Sequence, residues 1–286
     1  MIVTIKPIDV KTSEWQYYLA CGDHHLGNIG SDVKHIKKDL IEAKERNARI
    51  LIDGDVFDCI YPRDSRRYNP AIIIPELRDR ADPINATVEY GFGIFSDYAE
   101  NIDIIGLGNH ESATMHYNSV DVIKLLIEKL NAHLEKSGSD HRICHGGYTG
   151  YLRYTCMLPG IRTQRHFDIL YHHGGGGESR VTRGMIDINR KRTNWVYDLF
   201  IFGHKHHTFA ARDITIKLGS KGKLYKVSTR DVQTGTYLKS YPVVEDGSVV
   251  GYEERGNHAP KPIGGVFGKW RFTGSGSTEL EQRVEV

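Results

Sequence analysis

Five short stretches of the chain concentrate the residue types that hold metal ions: Asp23 and His25 in "CGDHHLGN", Asp55 and Asp58 in "DGDVFD", Asn109, His110 and Glu111 in "LGNHES", His172 and His173 in "YHHGGGG", and His204 and His206 in "FGHKHH". Carboxylate, amide oxygen and imidazole together suit borderline divalent cations. Asp23 and His25 are one residue apart, as are His204 and His206. In an extended segment that spacing puts both side chains on one face, so each pair is expected to converge. Two cations ~3.5–4 Å apart can share a carboxylate and lower the pKa of the water between them, and the resulting bridging hydroxide attacks in line at phosphorus. Taken alone, "DHH" reads more readily as a turn and "GDVFD" as a strand followed by a helix-capping Asp. Their occurrence together with "GNHE" and "GHKH" is what points to a metal site.

The elements around these stretches place them consistently. "EWQYYLAC", "ARILI", "IDIIG", "FDILYHH" and "YDLFIF" are short apolar runs, each ending in a motif, and read as buried strands. Between most of them lie helical patterns. "SDVKHIKKDLIEAKERN" has Ser31 as its expected N-cap, "SVDVIKLLIEKLNAHLEKSG" has Ser119, and "INATVEYGFGIFSDYAEN" and "TRGMIDINRKRTNW" are expected helices. Strands alternating with helices imply α/β layering around a largely parallel core, with ligands at the carboxyl ends of the strands. Residues 60–82, rich in Pro and Arg, read as an excursion from the core near the site. Residues 209–256 read as β-hairpins with Gly turns, and 257–286 as a partly flexible C-terminal extension.

Composition sets limits. The chain has 286 residues, 39% of them hydrophobic, with a formal charge of +2, so net charge does not announce a nucleic-acid binder. Its four cysteines are widely spaced without a CxxC pair, which argues against a zinc knuckle or a disulfide scaffold. No apolar run is long enough to span a bilayer and no signal-peptide pattern opens the chain, so a cytoplasmic setting is expected. Asp53 is read as supporting backbone or loop structure, His24 and His207 as exposed or supporting residues beside ligands, and Cys21 and Cys59 as buried packing.

The motif set D-x-H, GDxxD, GNHE, a strand-end His before Gly, and GHxH resembles the calcineurin-like metallophosphoesterase superfamily. It stands here as "DHH", "GDVFD", "GNHE", "HHGG" and "GHKH", in the family's order, over roughly residues 15–210. The resemblance implies a four-layer αββα sandwich of two mixed sheets, here as a domain over 1–256, with two divalent cations (Mn, Fe or Zn) at one edge. It makes Asp23, His25 and His206 ligands of one ion, and Asn109, His204 and His173 or His172 ligands of the other. Asp55 becomes the bridge. His173 is favoured because the family's ligand often directly precedes Gly. His110 becomes the residue that contacts phosphate and protonates the leaving oxygen. Glu111 is placed beside it at the catalytic centre, or with Asp58 as a residue that orients loops and the histidine.

For the substrate, Arg63 and Arg67 with neighbouring tyrosines, and Arg180 and Arg183 after the glycines, are candidate phosphate contacts. They lean the reading towards a phosphodiesterase or nuclease acting on DNA or nucleotides. The alternatives are a phosphomonoesterase or nucleotide phosphatase and, less favoured, a non-catalytic metal-binding scaffold. The stretch "HHGGGGESRVTRGMIDINR" is similar to a Gly-rich variant of phage and prophage members. The glycines themselves read as a thin loop that turns away from the metal and leaves room for substrate.

Overall fold

The computed structural model describes residues 1–11, 13–156, 164–176, 186, 189–190, 194–218, 222–242, 259–273 and 280–285. Strand β1 (Ile2–Pro7) is followed by β2 (Gln16–Cys21), α1 (Val33–Glu45) and β3 (Arg49–Ile52). Then come α2 (Pro75–Arg78), α3 (Pro83–Phe95), β4 (Ile102–Gly106), α4 (Asn109–Asn118), α5 (Val122–Lys136), β5 (Cys144–Gly147) and β6 (Thr149–Cys156). The second half contributes β7 (Arg165–His172), β8 (Leu199–Phe202), β9 (Phe209–Leu218), β10 (Leu224–Gln233), β11 (Val266–Phe272) and β12 (Leu280–Glu285).

These strands form two six-stranded mixed sheets. The first runs β12-β11-β2-β3-β4-β5, with β2 to β5 mutually parallel. The second runs β1-β6-β7-β8-β10-β9, with β7, β8 and β10 parallel. Strand alternation sorts side chains into layers. Leu19, Cys21, Ile50 and Ile52 face α1 and α5 and join a core with Ile36, Leu40, Leu126 and Leu130. Tyr18, Ala20 and Leu51 face the other way and meet Ile169, Leu199, Ile201 and Trp270 between the sheets. Phe200, Phe202 and Leu170 form the outer face of the second sheet. This is the two-sheet α/β sandwich that the sequence resemblance implies. The helix expected in "TRGMIDINRKRTNW" lies mostly outside the described residues, of which Ile186, Asn189 and Arg190 are helical. Among the described residues no helix is long and apolar enough to cross a membrane.

Three expectations need correction. The N-cap of α1 is Asp32, which accepts from the His35 amide, and that of α5 is Asp121, which accepts from Lys124. Ser119 instead ends α4 in a left-handed conformation, φ 58°. In both cases a carboxylate within two residues of the serine takes the amides. Residues 266–272 are not part of an appended extension: β11 pairs antiparallel with β2, the strand that leads into Asp23, and Val266 and Trp270 are buried. Trp270 stacks on Phe167 of the other sheet at 4.4 Å, so this late strand closes the inter-sheet core.

Candidate metal centre

The five motif-bearing strands β2, β3, β4, β7 and β8 deliver their loops to one edge of the sandwich. Asp23, His25, Asp55, His204 and His206 all take up positive φ, from 47° to 70°. Left-handed backbone at non-glycine residues is costly, roughly 1–3 kcal/mol each, and persists where the surroundings enforce it. The pairs therefore do not converge by strand alternation. Each pair sits on a tight turn, and the turn of His204 and His206 aims its two rings at different clusters.

The first cluster gathers Asp23, His25 and His206, whose donor atoms lie within 4.8 Å of one another. His25 Nε2 and His206 Nε2 face each other at 3.4 Å, and Asp23 Oδ1 is 3.0 Å from the latter. The second gathers Asp55, His173 and His204 under the same limit. His173 Nε2 is 3.2 Å from Asp55 Oδ2, without the alignment of a hydrogen bond. Asp55 also groups with His25 and His110, so one carboxylate reaches towards both clusters. Of the adjacent histidines, His173 is the one that faces the centre. The His172 ring turns back, its Nδ1 accepting from the Gly174 amide at 2.7 Å.

Helix α4 starts at the motif itself. Its first turn presents the His110 amide to Asp55 Oδ1 at 2.9 Å, a carboxylate at a helix N-terminus. The buried Asn109 Oδ1 has no hydrogen-bond partner among the described residues. The His110 side chain donates from Nδ1 to the Asp58 carbonyl at 2.5 Å, since a carbonyl only accepts. That leaves Nε2 as its working nitrogen. The Asp58 carboxylate lies 3.4 Å from His25 Nδ1 and also accepts from Asn28 Nδ2. Glu111 is placed otherwise than a catalytic group. It is fully buried, and its carboxylate accepts from the amides of Asp55, Phe57 and Gly108 at 3.1, 2.9 and 2.8 Å. Glu111 thus ties the GD loop to the GN loop.

Electrostatics follow from burying five carboxylates, Asp23, Asp53, Asp55, Asp58 and Glu111, together. Burial by itself would disfavour a charged His173, but Asp55, Asp23 and Asp53 push its pKa up to about 10. His25 is likewise raised to about 9, burial being outweighed by Asp58 and Asp55. For Asp23, burial opposes ionisation and His206 overcomes it, lowering the carboxyl to about 2. With protons as the only cations, the histidines supply the positive charge that this anionic centre demands. Divalent ions would supply it instead and would displace those protons. Unpartnered buried donors on Asn109 and His173, and carboxylates interleaved with imidazoles, fit such ions.

The glycine run of the fourth motif is pinned. Tyr148 donates to the Gly174 carbonyl at 2.7 Å, and the buried Lys205 ammonium donates to the carbonyls of Gly175 and Gly176, each at 2.9 Å. Lys205 lies between the two histidines of "GHKH", where nothing in the sequence marks it as a structural anchor. Asp53 does more than support a loop: it is buried and groups with Asp23 and His173. A Cβ on Gly22 would sit 1.7 Å from Asp53 Oδ1, and one on Gly203 would sit 2.5 Å from its Oδ2. Asp53 is thus wedged between the loops of the D-x-H and GHxH motifs, one from each sheet. The β-rich region contributes too, because Thr236 Oγ1 and the Tyr237 amide both donate to the Asp23 carbonyl at 2.9 Å. His24 is buried rather than exposed, stacked on Tyr237 at 4.8 Å.

The candidate substrate arginines fare differently. Arg67 is held by Asp64 at 2.6 Å and Arg63 donates to the Tyr117 carbonyl at 3.3 Å. Arg180 and Arg183 lie outside the described residues. The excursion nevertheless packs beside the site: the Ile29 amide donates to the Ile72 carbonyl and the Ile74 amide to that of Gly27, within four residues of His25.

No family model matches the sequence, and no curated protein matches it. Solved structures similar to it include a conserved Streptococcus pneumoniae TIGR4 protein described as a predicted phosphoesterase (10% identity, 94% of this chain and 99% of that one, TM-score 0.30). Others are GAP50, the anchor in the inner membrane complex of Plasmodium (10% identity, 89% and 81%, TM-score 0.40), and a metallophosphoesterase from Sphaerobacter thermophilus (15% identity, 85% and 95%, TM-score 0.30). Likeness this distant transfers no activity, and the chemistry rests on this chain's own residues.

Proposed function

We propose that this chain is a metal-dependent phosphoester hydrolase holding two divalent ions, and that it prefers phosphodiesters of the nucleotide class. The observation that carries the reading is Asp55, which falls in a donor group with His25 and His110 and in another with His173 and His204. A carboxylate with two such neighbourhoods suits a bridge. Asp23, His25 and His206 would hold one ion, and Asn109, His173 and His204 the other. When bound, the ions supply Lewis acidity and a water of lowered pKa.

The remaining chemistry belongs to the side chains. His110, with its Nδ1 proton fixed on the Asp58 carbonyl, presents Nε2 to a phosphoryl or leaving oxygen and can deliver a proton there. Asp58 steadies His25, and Glu111 fixes the loop that carries Asp55. Support for the diester preference is chemical: the excursion beside the site offers aromatic and guanidinium groups for parts of a substrate beyond one phosphate. The test is hydrolysis of bis(p-nitrophenyl) phosphate and p-nitrophenyl phosphate with Mn²⁺. The expected result is a higher kcat/KM on the diester, with activity lost in Asp55→Asn and His110→Ala. Faster monoester turnover would favour a phosphomonoesterase. Metal binding with no turnover of either ester would leave a scaffold role.

A further inference from the structure

A cleft of about 100 Å³, open to solvent, lies between the loop after Asp55 and the excursion. It starts where the metal-site loops leave off. Leu26 and Gly27, the residues after His25, form part of its wall, and so does Asp58, the residue that touches His25 and His110.

Its interior is apolar and aromatic. Tyr61, Tyr68, Ile73 and Leu77 line it, with Arg78 and Arg80 also in its wall. The polar groups inside satisfy one another. Tyr61 donates to Thr87 Oγ1 at 3.0 Å, and Thr87 donates to the Pro83 carbonyl at 2.8 Å. What the cleft offers a ligand is therefore ring faces, aliphatic wall and cationic groups. Arg78 directs Nε and Nη2 to the Ile73 carbonyl and stays exposed. Arg80 makes a loose pairing with Asp82 at 3.6 Å, both side chains more than half exposed. Tyrosine and aliphatic side chains beside guanidinium groups suit a planar aromatic ring attached to an anion.

We propose that this cleft is the subsite for the nucleobase of a nucleotide substrate, with Arg80 and Arg78 serving an adjoining phosphate; the inference rests on the phosphoesterase function proposed above. Phosphoryl chemistry would take place at the metal cluster, while the base, seated beyond Asp58, would give the affinity. This adds Tyr68, Arg78 and Arg80 to the candidate substrate contacts within the excursion, where Arg67 is held by the Asp64 carboxylate.

The test compares two diesters with the same leaving group, bis(p-nitrophenyl) phosphate and the p-nitrophenyl ester of thymidine 5′-monophosphate, in the metal-loaded protein. Tyr68→Ala removes a stacking face, and Leu77→Trp fills the cleft. For each variant, kcat/KM on the thymidylyl ester should fall about 5- to 150-fold, the span expected for one lost base–aromatic stack, mainly through KM. The bis(p-nitrophenyl) ester should change less than about twofold. Equal losses on both esters, or no loss on either, would overturn the subsite. If the wild-type protein hydrolyses neither ester, the functional reading fails. The cleft is then judged by calorimetric titration of the metal-free protein with thymidine monophosphate: binding that Leu77→Trp abolishes upholds it, and no binding overturns it.

Discussion

Lys205 offers a direct way to perturb one half of the centre. Its ammonium is buried between the two histidines of the last motif and donates to two successive carbonyls of the glycine loop, at 2.9 Å each. That loop begins at His173, and His204 Nε2 lies 3.2 Å from the same Gly176 carbonyl. Lys205→Met keeps the aliphatic stem and removes both bonds. Hydrogen bonds to a charged group contribute about 1.5–3 kcal/mol each. Two effects reduce the sum: Gly175 and Gly176 are exposed, so their carbonyls regain water, and the buried ammonium no longer has to be desolvated. A net loss of about 1–3 kcal/mol follows, and it falls on the segment that positions His173 and His204. Calorimetric titration of the metal-free protein with Mn²⁺ should show two binding steps. In Lys205→Met one step should weaken about 5- to 150-fold, the fold-change equivalent of that loss, while the other stays within about twofold. Equal weakening of both steps, or no change in either, would refute the claim that the lysine acts through the loop on one ion.

Three other perturbations follow from contacts elsewhere in the structure. Glu111→Gln keeps an acceptor for two of the three loop amides but sets an NH₂ against the third, so the protein should lose about 1–3 kcal/mol in urea unfolding and 10- to 100-fold in kcat as the Asp55 loop loosens; unchanged kcat would contradict its positioning role. Asp103, buried, accepts from Arg49, from Tyr154 and from Lys6, and Asp103→Ala strands those groups at the other end of the sandwich, which should cost about 3–5 kcal/mol without altering metal stoichiometry. Asp198 is raised to about 6 by burial, then by Asp168; because the folded value exceeds the unfolded one, near 3.9, its contribution is most favourable below about pH 4 and is lost as pH rises through 6. Asp198→Asn should therefore gain up to about 3 kcal/mol relative to wild type between pH 4 and pH 7, and a pH-independent difference would count against this.

The metal-binding stretches are legible in the sequence because few residue types ligate a divalent ion, and five such groups rarely fall at successive strand ends by chance. The adjacent pair His172 and His173 cannot be resolved that way, since facing depends on strand register; in the structure His173 groups with Asp55 and His204, while His172 Nδ1 accepts from the Gly174 amide. Asp53 is hidden from a sequence reading because its environment is made across the sandwich by Gly22 and Gly203, far apart in the chain. The same holds for β11: its pairing with β2 joins residues about 250 positions apart, and the Gly/Ser-containing texture near it masks an in-sheet strand. Arg67 looks available as a phosphate contact, yet Asp64, three residues earlier, already holds it. Local composition shows which groups exist, whereas partners decide which are free.

Two ions held at one edge of the sandwich and acting together on a phosphoester would set the metal stoichiometry of the reaction. The most direct test is the rate of bis(p-nitrophenyl) phosphate hydrolysis as Mn²⁺ is titrated into metal-free protein. Activity should saturate at two equivalents per chain and be absent at every Mn²⁺ level in Asp55→Asn. Saturation at one equivalent, or an Asp55→Asn variant as active as the wild type, would contradict it.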